Sequence, residues 1–78
     1  MNTNKLRAKM ALYGDTGGTL AKALGLSPQW FSRKLNEKNA EFTQGEIQAI
    51  KDRYNLTAEE VDEIFFDIKI QKEDLWTN

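Results

Sequence analysis

Thr19-Leu-Ala-Lys-Ala-Leu-Gly-Leu-Ser-Pro-Gln-Trp-Phe-Ser-Arg-Lys-Leu35 is the stretch from which the rest of the chain can be laid out. Leu20 and Leu24 stand one helical turn apart with Ala21 beside them, which predicts a short helix buried on that side and closely approachable at the alanine. Gly25 suits the left-handed position that closes a helix, a conformation that a residue with a Cβ adopts at a cost. Leu26 tucks under that turn. Ser27-Pro28 opens the next helix: the hydroxyl accepts from an early N–H, and proline at the first helical position lacks a donor that would have no partner anyway. With about 100° of rotation per residue, Phe31 and Leu35 fall on one side and Gln29, Arg33 and Asn36 on the other, flanked by Trp30 and Ser32. The outcome is a short helix, a glycine turn and a second helix whose polar face is free to meet something.

Upstream, Asn2 or Thr3 caps a first helix in which Leu6, Met10 and Tyr13 share one core-facing side. Gly14 stops it, and Asp15-Thr16-Gly17-Gly18 reads as a connecting loop. The second helix then opens somewhere from Thr16 to Thr19, with Thr16 or Asp15 as its cap. Gly17 and Gly18 weaken that end by about 1 kcal/mol each relative to Ala. Downstream, a polar loop over 36–41 leads to Phe42-Thr43-Gln44-Gly45-Glu46-Ile47, where Thr43 and Glu46 make a capping box inside a Phe42–Ile47 staple. Ile47, Ile50 and Tyr54 continue that buried face to a stop near Asn55. Leu56 to Val61 repeats the device, with the box at Thr57 and Glu60 and the staple between Leu56 and Val61. Val61, Ile64 and Phe65 or Phe66 complete the core.

From Phe66 to Ile70 apolar and charged residues alternate as in a half-buried strand, which needs a partner in the chain or in a second copy. Gln71 to Asn78 has Leu75 and Trp76 as its only apolar anchors and is either a flexible tail or a segment docked by that tryptophan. The expected architecture is therefore all-α: one compact five-helix domain over 1–66 and a short extended C-terminal segment over 67–78.

A chain of 78 residues is one small domain whose single core only just suffices. The absence of Cys and His removes disulfides, a thiolate zinc site, a cysteine nucleophile and histidine acid/base chemistry together. An intracellular setting is consistent with this. Met1 to Met10 is polar and charged, unlike a signal peptide, and no segment is long enough to span a bilayer, so no membrane association is expected. The net charge of −1 hides two halves. Residues 1–39 hold seven Lys/Arg against two Asp/Glu, a net +5, and residues 40–78 hold four against ten, a net −6. Such asymmetry marks either an anion-binding face with an acidic remainder or ordinary surface charge. Glu59-Glu60-Val61-Asp62-Glu63 lacks calcium-loop spacing and is explained by the capping box and the helix dipole, so no metal is expected. No nucleophile–base pair or cleft points to an enzyme or a small-molecule substrate, and no cofactor is implied.

Leu20-Ala21, Gly25, Ser27 and Phe31, with the Leu-Ala-Lys-Ala-Leu-Gly run, resemble the lambda-repressor-like Cro/C-repressor-type (Xre) helix-turn-helix family, and most of all its short phage Cro-like regulators. Helix order and the Asn55-Leu56-Thr57 turn before an acidic helix extend the resemblance to about residues 4–66. Two departures stand out. The family usually has an apolar residue three after Phe31, where this chain has Lys34, with Leu35 taking over one residue later; the end of the helix could thus be rotated. A polar residue such as Gln often begins the family's second helix, where this chain has Gly17-Gly18.

The resemblance implies a helix over 28–36 in the major groove of operator DNA. Gln29 and Arg33, one turn apart, would read base edges, their amide and guanidinium suiting adenine and guanine. Pro28, Ser32 and Trp30 would stand beside them, although Trp30 could equally pack beside the first helix. Thr16, Gly17, Thr19, Lys22, Lys34, Asn36, Lys38, Thr43 and Gln44 are the candidates for phosphate contacts, through helix N-termini and side chains. Ile68, Ile70 and Trp76 are the candidates for a homodimer contact. The implied function is a cytoplasmic phage repressor in a bacterial host. The other reading keeps the fold but binds protein, as a phage antirepressor or antitoxin-like partner would, with the acidic half and Trp30 in its favour.

Overall fold

A computed structural model describes residues 1–36 and 40–66. The chain is all-helical there: α1 (Thr3–Leu12), α2 (Gly17–Ala23), α3 (Pro28–Leu35), α4 (Gln44–Arg53) and α5 (Ala58–Phe65), with no strand among the described residues. The alternating segment read at 66–70 lies, beyond Phe66, outside them.

Each boundary has a local cause. Asn2, Thr16, Ser27, Thr43 and Thr57 are the N-caps, each accepting a backbone N–H three residues on. The boxes expected at Thr43/Glu46 and Thr57/Glu60 are present, and Thr16/Thr19 forms a further one. Gly14, Gly25 and Asn55 follow three of the helices with positive φ. At Gly25 the N–H donates to Lys22 O at 3.1 Å and Leu26 N–H donates to Ala21 O at 2.9 Å. That paired closure satisfies two end carbonyls and ends α2 before α3 begins.

Leu6, Met10, Leu20, Ala21, Phe31, Leu35, Ile50, Tyr54, Leu56 and Ile64 form one buried cluster to which all five helices contribute. Phe42 joins its edge, packed edge-on against Phe31 and Phe65 at centroid separations of 5.9 and 5.8 Å. Tyr13, expected on the inner face, is half exposed. Its ring tilts against Tyr54 at 5.1 Å, and its hydroxyl donates to the Tyr54 carbonyl at 3.0 Å. The start of α1 is tied to α5 and α3 as well: Asn2 N–H donates to Ile64 O at 2.7 Å, and Thr3 Oγ1 donates to Leu35 O at 3.3 Å. No helix among the described residues is long and apolar enough to cross a membrane.

Candidate nucleic-acid interface

α3 is held from below by Phe31 and Leu35, and its other side is open. Pro28, Gln29, Trp30, Ser32, Arg33 and Asn36 are all exposed. Gln29 and Arg33 lie nearly opposite Phe31, on the crest of the helix, and Trp30 and Ser32 lie on its two flanks. Trp30 is 47% exposed. The Arg33 guanidinium carbon stands 5.1 Å over the indole centroid, within the range of a cation–π contact. On the opposite flank Asn36 Nδ2 donates to Ser32 Oγ at 3.3 Å.

Lys34, expected among the phosphate contacts, is turned inward. It is only 9% exposed, and Nζ reaches Glu46 Oε1 at 2.7 Å. Three residues after Phe31 is the inner side of α3, so the alkyl stem takes the place of the expected apolar residue and the ammonium needs a buried partner. Glu46 serves it while also accepting from Thr43 N–H at 2.9 Å as part of the α4 box. Burial opposes ionisation of Glu46, but the Lys34 ammonium and the Thr43 donors outweigh it and hold the carboxyl below its ordinary value. With Lys34 and Leu35 both buried, α3 stays regular from Pro28 to Leu35, with no rotation at its end.

The helix starts proposed for phosphates use their hydroxyls internally. Thr16 Oγ1 accepts from Thr19 N–H at 3.2 Å, and Thr19 Oγ1 accepts from Thr16 N–H at 2.8 Å. Thr43 Oγ1 likewise accepts from Glu46 N–H at 3.1 Å. Gly17 and Gly18 are exposed beside the first box, and Gln44 beside the α4 box. A Cβ on Gly17 would meet only the Phe31 ring at 3.7 Å, and one on Gly18 only Thr16 Oγ1 at 3.7 Å, so packing does not demand either glycine.

A cluster that sequence reasoning missed fixes the loop before α2. Asp15 accepts from Arg53 Nε at 2.7 Å and Arg53 Nη2 at 2.8 Å, from the Tyr54 hydroxyl at 2.6 Å and from Thr19 Oγ1 at 2.9 Å. The Arg53 fork, then the Tyr54 hydroxyl, hold its carboxyl far below the ordinary carboxylate range. Burial, then the Asp15 carboxylate, push the Tyr54 phenol up. No local pattern announces a partner 38 residues away; only the position of Asp15 just past the Gly14 turn, facing the end of another helix, makes the pair possible.

Pairing also redraws the charge map. Lys5 bonds Glu63, and Lys9 Nζ lies 2.6 Å from Glu60 Oε2, so α1 neutralises two of the four acids of α5. The Glu60 bond, foremost, raises the Lys9 pKa, and the Lys9 bond lowers that of Glu60. Of the described cations, Arg7, Lys22, Arg33 and Lys51 make no ion pair with a described residue. Lys22 is thus the one described side-chain cation of the expected phosphate set that is exposed. Lys38 and the expected dimer residues Ile68, Ile70 and Trp76 lie outside the described residues. No group of three or more acidic, His or Cys side chains among those described could hold a metal. No protein-family model, curated protein or solved structure matches the chain.

Proposed function

We propose that this chain is a sequence-specific, duplex-DNA-binding transcriptional regulator with a lambda-repressor-like helix-turn-helix, acting as a repressor of Cro type. The observation that carries the reading is the exposed crest of α3, where Gln29 and Arg33 project side by side from a helix anchored through Phe31 and Leu35. Two long hydrogen-bonding side chains one turn apart match the spacing of base edges in a major groove. Arg7 and Lys22, exposed and without ion pairs among the described residues, are the cations best suited to phosphates.

The domain acts as a homodimer in this proposal. One module with so few phosphate contacts binds weakly, whereas two on a pseudo-palindrome gain area and register. Phe66, 54% exposed, adjoins a groove of about 310 Å³ in which Ile47, Ala58 and Val61 stand among Gln44, Gln48, Lys51 and Asp62, a mixed surface to which this proposal assigns the second copy.

Mobility-shift titrations on the DNA flanking the chain's own coding sequence test the reading. One fragment should bind preferentially, and Gln29→Ala and Arg33→Ala should each weaken that complex roughly five- to a hundredfold. A protein that binds every fragment alike sinks it. The protein-binding alternative makes the reverse forecast: Arg33→Ala is silent and Glu59→Lys with Asp62→Lys abolishes activity. Those two acids are the appropriate pair because Glu60 and Glu63 hold α1 in place.

A further inference from the structure

We propose that Trp30 is a positioning residue that sets the specificity of α3 by holding the Arg33 guanidinium edge-on to a guanine. The inference rests on the DNA-binding reading above. Trp30 and Arg33 are three residues apart on one helix, so their side chains meet on one strip of its surface. The Arg33 guanidinium carbon lies 5.1 Å over the indole. A guanidinium that leans on an indole by its flat face leaves its edges uncovered. The N–H donors lie in its plane and point outward from its edges, so the fork remains available.

The placement of the two residues matters. Arg33 is on the crest, and Trp30 is on a flank about 100° from Phe31, so the indole meets the arginine from the side of the helix. Among the described residues no carboxylate pairs with Arg33. An arginine on an open helix face surrenders several torsions when it docks; one already leaning on an indole surrenders fewer. Guanine offers O6 and N7 side by side, the acceptor pair that a planar fork engages bidentately. A large aromatic left half exposed on a chain with a complete core thereby has a use.

Two measurements test this. In the free protein, the Arg33 Hδ protons should resonate upfield through the indole ring current and return toward ordinary values in Trp30→Ala. In competition binding on a duplex selected from a random library, wild type should prefer guanine at one position roughly five- to a hundredfold. Replacing that guanine with 7-deazaguanine, or Arg33→Ala, should erase the preference. Trp30→Ala should lower it about two- to fivefold, Trp30→Phe should restore most of it, and affinity for unrelated duplex should stay within about twofold. Identical Arg33 shifts in wild type and Trp30→Ala would overturn the proposal. So would a Trp30→Ala protein that loses affinity for all sequences equally while keeping its guanine preference. A wild type without any base preference overturns the DNA reading itself, and this inference with it.

Discussion

Lys34 sits where α3 turns toward the core, and the residue survives there because Glu46 meets its ammonium at 2.7 Å. Sequence periodicity alone places it at the margin between faces, and charge favours solvent. Neither consideration contains Glu46, whose role in the α4 capping box brings it within reach. The position is therefore expected to contribute to stability and not to DNA affinity. Lys34→Ala should lower the free energy of urea unfolding by about 2 kcal/mol, since the partly buried Glu46 charge loses its partner. Lys34→Met, which keeps the stem, should cost less than Lys34→Ala. Both variants should leave the salt dependence of DNA binding unchanged. A fall of about one in the slope of log K against log salt would instead restore Lys34 to the phosphate contacts.

At the scale of elements, helix limits were legible wherever a side chain caps its own backbone. Thr43, Thr57 and Ser27 each start a helix where their neighbours in sequence say they should. The start of α2 was ambiguous because two glycines blur it, and the Thr16/Thr19 box decides it. What could not be read were the ties between elements: Asp15 with Arg53 and Tyr54, Lys5 with Glu63, Lys9 with Glu60. Each depends on which helix ends meet in three dimensions. Gly18 is helical and uncrowded, so Gly18→Ala should stabilise by about 0.5–1 kcal/mol, while Gly25→Ala, at φ +71°, should destabilise by about 1 kcal/mol in the same urea titration. The Asp15 clamp makes a pH forecast. Its carboxyl is held below the ordinary 3.8, and those of Glu46 and Glu60 below 4.5. Each binds a proton more weakly folded than unfolded, so their contribution is complete above those ordinary values and is lost as pH falls through the lowered ones. The urea midpoint should hold level from about pH 7 to about 5.5 and drop below about 4.5. Asp15→Asn should start lower and fall less steeply below about pH 4.

For the whole molecule, the division into a basic and an acidic half becomes a division between paired and unpaired charges. α1 spends Lys5 and Lys9 on α5, and α3 spends Lys34 on α4. In the proposed DNA complex the electrostatic share would fall to a small set of cations, among them Arg7 and Lys22, so affinity should depend on salt less steeply than the seven cations of residues 1–39 would imply. The proposal leaves specificity to α3. The measurement that tests this most directly is a fluorescence-anisotropy titration of wild type and Arg33→Ala on a library-selected duplex and on a scrambled duplex, across a salt series. The expected result is a wild-type preference of roughly a thousandfold or more for the selected duplex. In Arg33→Ala that preference should fall roughly five- to a hundredfold, with binding to the scrambled duplex weakened far less. Equal affinity for both duplexes in wild type, or affinity that does not weaken with salt, would contradict the account.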